Sequence, residues 1–374
     1  MIKVLNGIDC QEKWLPVIKG ATAGFITNMS GVTKKLIPSY VAVNEHCNLK
    51  TLFSPEHGLN GAAQAGCKIE NEEREPITNT PVVSLYGDKK APDDEMLEGI
   101  DMLLFDLQDV GARFYTYLYT MTRSMKSAAR AKIPFVVFDR INPVSLNKIE
   151  GEILDEANSS FIGEYAVPTR YGMTIGEFAK YINAKENIGV DLHIIPCEGL
   201  TRDIYHRDTD LPWVAPSPNM PTTDTALVYI GTCLFEATKQ ASEGRGTTQP
   251  FEFIGAPNYD ARVLADEMNS KKLDGVIFRP VYFTPTFSKF KGELCSGVQL
   301  HVTDRDAFSP FAAGVKLVET VKYMYGTEFD EKALKRTFGT GRLFDGISSD
   351  TIIKDCIRTS EEFRKTTSPY YIYK

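Results

Sequence analysis

The sequence predicts an α/β protein, with a Rossmann-like parallel sheet in an N-terminal domain and a smaller α+β C-terminal domain. In the first half, short apolar runs alternate with helical patterns, as they do in βαβ units. From Leu211 the composition changes, because Pro212, Pro216, Pro218 and Pro221 can continue neither a helix nor a central strand. A chain of 374 residues also exceeds the usual size of one core. We therefore expect a catalytic domain at 1–211 and an auxiliary domain at 212–374 that completes a cleft.

The predicted strands of the first domain are apolar on consecutive residues, as expected for strands that are covered on both faces. An amphipathic pattern predicts a helix at 115–132, and Thr174 with Glu177 forms a capping box that starts another helix. The predicted strands are 24–26, 49–53, 81–85, 102–105, 135–138 and 191–196.

The second domain mixes both kinds of element. We expect a helix at 224–239, a second helix after an Asp260 cap, and further helices near the C-terminus. Strands are expected at 276–283 and 297–302. This less regular order is typical of an α+β domain.

Composition and charge exclude several classes of protein. The net charge of -7 and the absence of a Lys/Arg cluster argue against nucleic acid as a partner. The seven scattered cysteines contain no C-x-x-C pair, so neither a disulfide framework nor a zinc ribbon is expected. No apolar run approaches the roughly 20 residues of a membrane span, and the N-terminus does not resemble a signal peptide. We expect no integral membrane segment.

Cofactor motifs are missing from the sequence. No G-x-G-x-x-G follows the first predicted strand, and no phosphate-binding P-loop occurs. The five histidines show no H-E-x-x-H spacing. The Gly-rich segment 243–248 could hold an anion through backbone NH groups and Arg245, which is a weak signal. The sequence therefore predicts neither a cofactor nor a metal.

Polar residues follow four of the predicted strands. The carboxyl ends of parallel strands share one edge, where open α/β sheets bind ligands. The Asp and Asn residues could instead form turns or helix caps. Arg113 could instead form a structural ion pair with Asp106 or Asp109. The residues are Asn28; Glu56 and His57; Asp106, Asp109 and Arg113; and Arg140 and Asn142.

Two carboxyl groups on such an edge suit glycoside hydrolysis, in which one acts as an acid and the other as a base or nucleophile. Glu56 is the first candidate, and Asp106 or Asp109 is its candidate partner. Their separation would distinguish inversion, at about 6.5 to 9.5 Å, from retention, at about 5 to 5.5 Å. The long polar segment 58–80 after Glu56 is either a lid or a surface excursion.

Several long strings, in the same order along nearly the whole chain, resemble the exo-β-N-acetylmuramidases. They are S-P-E-H-G at 54–58, F-D-L-Q-D-V-G-A-R-F-Y-T-Y at 105–117, P-S-P-N-M-P at 216–221, the run 243–250, and F-T-P-T-F at 283–287. The resemblance implies a cleft between two domains. It also implies exo-acting hydrolysis of terminal β-1,4-linked N-acetylmuramic acid (MurNAc) in peptidoglycan-derived MurNAc-GlcNAc saccharides, without nucleotide or metal. Glu56 would be the catalytic residue, and His57 would adjust it.

MurNAc without its peptide carries a lactyl carboxylate, and a buried carboxylate needs a guanidinium or several NH donors. We expect Arg245 or Arg113 to bind it. Asn219 and Tyr115 are expected to bond the acetamido group or ring hydroxyls, and Glu243 is a further expected substrate contact beside Asn28, Arg140 and Asn142. Members of the resembled family are generally exported, which implies a periplasmic or extracellular location, and a cytoplasmic location is the alternative because no signal peptide is recognised.

Three alternatives remain at this point. A non-catalytic cell-wall sugar-binding protein could share the cleft. A Rossmann-type oxidoreductase or nucleotide enzyme is disfavoured by the missing glycine motif. A substrate-assisted route, in which the 2-acetamido oxygen attacks, would use one Asp to orient the acetamide.

Overall fold

A computed structural model describes residues 1–64, 66, 67 and 74–374 of the chain. The first half contains a sheet of six parallel strands. The strands are β1 (Thr22–Thr27), β2 (Asn48–Ser54), β3 (Val82–Ser84), β4 (Met102–Asp106), β5 (Phe135–Phe138) and β6 (Leu192–Ile195). Their order, β3-β2-β1-β4-β5-β6, is that of a Rossmann fold. The predicted Rossmann-like sheet is thus confirmed.

The central strands are buried on both faces, which explains their unbroken apolar sequences. Phe25, Leu104 and Val136 belong to one buried cluster, whereas Ile26 and Phe105 belong to another. Successive side chains of a strand point to opposite faces. Each face therefore has its own apolar layer, and the sheet lies in the interior.

Among the described residues, four α-helices accompany this sheet: α1 (Gln11–Ile18), α2 (Ser39–Asn44), α3 (Tyr117–Ala131) and α4 (Ile175–Lys185). The helix predicted at 115–132 is α3. The capping box before α4 is confirmed, since Thr174 Oγ1 accepts a hydrogen bond from Glu177 N at 3.1 Å and Glu177 Oε2 accepts one from Thr174 N at 3.3 Å. The sequence did not predict α1, which contains Pro16, or the six-residue α2.

The second half contains a three-stranded antiparallel sheet and five helices among the described residues. They are α5 (Thr223–Thr232), β7 (Phe253–Ala256), α6 (Ala261–Ser270), β8 (Val276–Phe283), β9 (Cys295–Val302), α7 (Pro310–Tyr325), α8 (Glu331–Phe338) and α9 (Ser349–Thr367). The sheet order is β7-β9-β8.

Most elements of this half match the predictions. The Asp260 cap is confirmed, because its Oδ1 accepts hydrogen bonds from Arg262 N and Val263 N, each at 3.0 Å. The helix expected at 224–239 divides, since α5 ends at Thr232 and a 3-10 helix follows at Cys233–Ala237. Strand β7 was not predicted from the sequence.

One buried apolar cluster runs through both halves of the chain. It includes Phe105 and Tyr119 from the first half with Leu227 and Val318 from the second. The mixed fold class is confirmed, and the limits 1–211 and 212–374 stay a prediction. Within the described residues, no helix is both long and apolar enough to cross a membrane.

Candidate active site

A cleft opens where the loop after β2 meets the second half of the chain. Glu56 and His57 enter it from that loop, and three residues enter it from the segment before α3. The remaining wall comes mainly from residues 217–251. The described lining residues are Glu56, His57, Phe114, Tyr115, Thr116, Ile162, Ser217, Asn219, Met220, Tyr229, Glu236, Arg245 and Phe251.

Glu56 is held by neutral donors. Its Oε2 accepts a hydrogen bond from Thr116 Oγ1 at 2.9 Å, and its Oε1 accepts one from Gly66 N at 3.3 Å. The side chain is only partly buried. Glu56 therefore presents an oriented and accessible carboxyl group to the cleft.

His57 has a left-handed backbone, with φ of 76°. Its Nδ1 lies 2.7 Å from the carbonyl oxygen of Ala63. A carbonyl only accepts hydrogen bonds, so Nδ1 carries the proton and the neutral ring has its lone pair on Nε2. Burial lowers the pKa of His57; the carboxylate of Glu56 opposes this effect and the charge of Arg245 adds to it. His57 is thus neutral at pH 7.

Aromatic rings form much of the cleft wall. Tyr115 lies edge to face against Tyr117 and Tyr229, with ring centroids 4.8 and 6.4 Å apart. The ring centroids of Tyr229 and Phe251 are in turn 4.6 Å apart. Burial raises the pKa of Tyr115, so its hydroxyl stays protonated at neutral pH. Such a wall can pack against the apolar faces of a sugar ring, and the Tyr115 hydroxyl can form a hydrogen bond with one polar group of the sugar.

Charged residues lie beside these rings in the cleft. Arg245 Nη2 donates a hydrogen bond to Glu236 Oε1, and Arg245 Nε lies 3.3 Å from Glu243 Oε1. Lys289 Nζ also donates to Glu243 Oε2 at 2.7 Å. Burial lowers the pKa of Arg245, but the charges of Glu236 and Glu243 outweigh this and raise it. Arg245 is therefore a permanently charged, partly buried cation.

The loop that carries Arg245 is held by the F-T-P-T-F segment. Thr286 donates two hydrogen bonds to the carbonyl oxygen of Gly246, each at 2.9 Å, from its backbone N and its Oγ1. Gly246 has φ of 82°, and a Cβ there would lie 2.5 Å from the carbonyl oxygen of Phe287. Glycine is thus required for the close contact of these two segments.

Asp106 and Arg140 do not lie in the cleft, which corrects their expected position beside Glu56. They form a buried bidentate ion pair, with Asp106 Oδ1 2.5 Å from Arg140 Nε and Oδ2 2.8 Å from Arg140 Nη2. Asp106 is 0% exposed and Arg140 is 4% exposed. Asp106 ends β4 and Arg140 follows β5, and their side chains turn towards each other rather than into the cleft.

Asp109 is likewise buried outside the cleft lining. Its Oδ2 accepts hydrogen bonds from Gly111 N at 2.6 Å and from the Tyr171 hydroxyl. Burial raises the pKa of Asp109 to about 6. Asn142 is in a turn, where it donates to Met173 O and accepts from Val144 N. Neither residue contacts the cleft, and the alternative of a turn fits Asn142.

Arg113 and Asn28 are also buried behind the cleft. Arg113 Nη2 donates to the carbonyl oxygens of Thr337 and Phe338, so this arginine joins the two halves of the chain. Asn28 Nδ2 donates to the Tyr117 hydroxyl at 2.7 Å. Their expected contacts with substrate are not supported by these positions.

Three of the expected substrate-binding residues line the cleft: Tyr115, Asn219 and Arg245. Asn219 Nδ2 donates to Gln64 Oε1 at 3.0 Å, which joins it to the segment after Glu56. Glu243 lies behind Arg245 and is 2% exposed. Residues 65 and 68–73 of the segment 58–80, which was expected to be either a lid or a surface excursion, lie outside the described residues.

Sequence reasoning missed several cleft residues. Thr116 and Ser217 stand inside the quoted motif strings, so attention to every polar position of those strings could have found them. Glu236 stands in a predicted helix with no motif around it, and no sequence signal marks it. Tyr229 and Phe251 are ordinary core aromatics in the sequence.

Outside the cleft, one group of possible metal ligands occurs among the described residues: Cys10, Glu12 and Glu198. Lys13 Nζ lies 2.5 Å from Glu198 Oε1, so an ammonium group already pairs with this site. None of these residues lines the cleft.

Known proteins match this chain along its whole length. Residues 23–224 match the N-terminal part, and residues 227–373 the C-terminal part, of the family described as exo-β-N-acetylmuramidase NamZ. The peptidoglycan β-N-acetylmuramidase NamZ of Bacillus subtilis (strain 168) is 44% identical over 381 residues, which cover 99% of this chain and 92% of that protein.

Two solved structures share the fold. Both are DUF1343 family proteins of Bacteroides fragilis NCTC 9343. One has a TM-score of 0.92 and 31% identity, and covers 100% of both chains. The other has a TM-score of 0.80 and 27% identity, and covers 100% of this chain and 99% of its own. The chain described here is a glycoside hydrolase that belongs to the NamZ family of exo-β-N-acetylmuramidases.

Proposed function

We propose that this enzyme releases MurNAc from the non-reducing ends of peptidoglycan-derived MurNAc-GlcNAc saccharides, with Glu56 as proton donor. The observation that carries the proposal is that Glu56 and Arg245 line the same cleft. A carboxyl group is needed to protonate the leaving oxygen. A cation is needed to bind the lactyl carboxylate that distinguishes MurNAc from GlcNAc.

The surroundings of Glu56 support the acid role. Thr116 orients one carboxyl oxygen, and the group stays accessible from the cleft. In the reaction, Glu56 gives its proton to the glycosidic oxygen while the bond from this oxygen to C1 breaks. His57 is neutral beside Glu56, so the two side chains do not form a salt bridge.

The surroundings of Arg245 support recognition of the lactyl group. Arg245 is the one Lys or Arg among the described lining residues. Its guanidinium lies 5.0 Å from the Phe251 ring centroid, and Glu236 and Glu243 hold it on one side. These contacts orient the planar guanidinium, which can donate hydrogen bonds to a carboxylate bound in the cleft.

The experiment compares the para-nitrophenyl β-glycosides of MurNAc and GlcNAc. We expect cleavage of the MurNAc glycoside by the wild type and a loss of kcat for Glu56→Gln. To test the leaving-group step, a MurNAc-GlcNAc disaccharide is used, with which the loss should reach about 10²- to 10⁴-fold. Preferred cleavage of the GlcNAc glycoside would refute the substrate, whereas full activity of Glu56→Gln on the MurNAc-GlcNAc disaccharide would refute the role of Glu56 as proton donor.

Arg245→Met tests the recognition of the lactyl group, and Arg245→Lys is the matched control that keeps the charge. We expect Arg245→Met to raise KM for the MurNAc glycoside about tenfold or more, since charge-assisted hydrogen bonds contribute about 1.5 to 3 kcal/mol. Arg245→Lys should keep part of this affinity. An unchanged preference for MurNAc over GlcNAc in Arg245→Met would contradict the assignment.

The proposed location is periplasmic or extracellular, because peptidoglycan lies outside the cytoplasmic membrane. Fractionation of cells that produce the protein from its own gene tests this, with a cytoplasmic enzyme as the control. Recovery only with the cytoplasmic marker would oppose it.

A further inference from the structure

We infer that Glu236 is the second carboxylate of the active site and acts on the α face of the anomeric carbon, opposite the leaving group. This inference rests on the proposed function, since it assigns a group to that reaction. It replaces Asp106 and Asp109, the two partners that the sequence suggested for Glu56.

The position of Glu236 is the first argument. Among the described residues that line the cleft, the carboxylates are Glu56 and Glu236. They come from different halves of the chain, since Glu56 follows β2 and Glu236 lies in the 3-10 helix after α5. Asp106 and Asp109 are 0% and 4% exposed and lie outside the lining. Two carboxyl groups that enter a cleft from different walls can flank a bond held between them.

The second argument is the difference between their partners. Arg245 Nη2 donates a charge-assisted hydrogen bond to Glu236 Oε1. Glu56 instead accepts hydrogen bonds from a threonine hydroxyl and a backbone NH, which carry no charge. Two carboxyl groups in unlike surroundings are the usual basis for separate acid and base roles. Glu236, which a cation holds, takes the role of base or nucleophile, and Glu56, which neutral donors hold, takes the role of proton donor.

The third argument is the accessible oxygen of Glu236. Arg245 holds Oε1, while Oε2 has no hydrogen-bond partner within the part of the chain that the structure describes. The Glu236 side chain is 36% exposed. Arg245 therefore fixes the carboxylate and leaves one oxygen free for a water molecule or for C1.

The step balances without a further reagent. Glu56 transfers its proton to the glycosidic oxygen, which keeps the electron pair of the broken bond to C1. Glu236 Oε2 accepts a proton from a water molecule whose oxygen forms the new bond to C1. If Oε2 itself bonds to C1 first, water later cleaves that ester and Glu56 takes the water proton. Both routes place Glu236 on the α face.

Chemical rescue tests the assignment with para-nitrophenyl β-MurNAc, whose leaving group needs little help from an acid. We expect Glu236→Ala to lose about 10²- to 10⁴-fold in kcat, and sodium azide to restore release of para-nitrophenol with formation of the α-glycosyl azide. Azide is a small anion that can fill the space of the lost carboxylate and attack from the same face. A structural role for Glu236 would not produce this compound.

Glu243→Ala is the matched control, because it removes the other carboxylate that pairs with Arg245 but lies 2% exposed behind the cleft lining. We expect a higher KM for Glu243→Ala and no α-glycosyl azide. Glu236→Gln keeps the side-chain shape, and its kcat should fall as well. This second variant keeps the test valid if Glu236→Ala folds poorly.

The outcomes separate this inference from the proposed function. If the wild type cleaves the MurNAc glycoside and Glu236→Gln retains its kcat, the assignment of Glu236 fails alone. Formation of the β-glycosyl azide would also overturn it, because attack would then follow a substrate-assisted intermediate. If the wild type does not cleave the MurNAc glycoside, the proposed function fails first.

Discussion

Arg113 Nη2 lies 3.0 Å from the carbonyl oxygen of Phe338, so a fully buried guanidinium from the first half of the chain caps the C-terminal end of α8. The same nitrogen also donates to Thr337 O at 3.0 Å. The last carbonyl groups of a helix have no partners within it, and a cation there also interacts favourably with the helix dipole. This contact gives Arg113 a structural function at the junction of the two halves.

Replacing Arg113 should therefore affect stability rather than catalysis. We expect Arg113→Met to lower the free energy of unfolding by about 2 to 4 kcal/mol, because it leaves buried carbonyl groups unsatisfied. Denaturant unfolding measures this, and exposed Arg262→Met is the control. A large rise in KM with unchanged stability would instead favour direct binding of substrate.

The buried pair of Asp106 and Arg140 leads to a second prediction. We expect Asp106→Asn to lower the free energy of unfolding by about 3 to 5 kcal/mol, because it leaves the Arg140 charge buried without a partner. The folded fraction should keep its kcat. A loss of kcat in fully folded protein, measured beside its circular dichroism spectrum, would return Asp106 to the catalytic candidates.

Thr116 is expected to position Glu56. We expect Thr116→Val to lower kcat about two- to tenfold, because one hydrogen bond to the Glu56 carboxyl is lost. KM should change little. The control is Thr120→Val, one turn further along α3, whose hydroxyl donates a hydrogen bond to the carbonyl oxygen of Thr116 at 3.4 Å. Equal losses in both variants would indicate a general disturbance of the helix.

The contact of α5 with α7 depends on two glycines. A Cβ on Gly314 would lie 2.4 Å from the carbonyl oxygen of Gly231, which is backbone and cannot move alone. We expect Gly314→Ala to lower the free energy of unfolding by about 1 to 3 kcal/mol through overpacking. Gly341→Ala is the control, since its Cβ would meet the ends of the flexible side chains of Lys335 and Asp345 rather than backbone. Similar melting temperatures for the two variants would contradict the prediction.

Stability should depend on pH through His206. Burial lowers the pKa of His206 from 6.5 to about 4, and the charge of Arg140 acts in the same direction. As the pH falls, the His206 side chain of the unfolded chain thus takes up a proton near pH 6.5. In the folded chain it takes up this proton only near pH 4. The stability present above pH 6.5 is therefore lost progressively as the pH falls to about 4.

Between pH 7 and pH 5, this effect amounts to about 2 kcal/mol of the free energy of unfolding. We expect His206→Gln to remove this part of the pH dependence. His193→Gln, at a partly exposed position, should keep this pH dependence. Parallel stability curves for the wild type and His206→Gln would refute the prediction.

Local sequence was sufficient for the elements whose signals lie within a few residues. The apolar runs predicted the strands of the parallel sheet, and Thr174 with Glu177 predicted the start of α4. Glu56 and His57 follow β2 directly, so their arrival at the ligand-binding edge needed only the strand and its direction. The motif strings then indicated the family.

Only the tertiary structure decided which polar side chains face the cleft. Asp106 and Glu56 both follow strands of one sheet, yet Asp106 turns to Arg140, which lies 34 residues away in sequence, and leaves the cleft. Glu236 reaches the cleft because Arg245 and the packing of the second half hold it there. Sequence patterns report the nearest neighbours along the chain, whereas the direction of a polar side chain depends on partners that folding brings from far away.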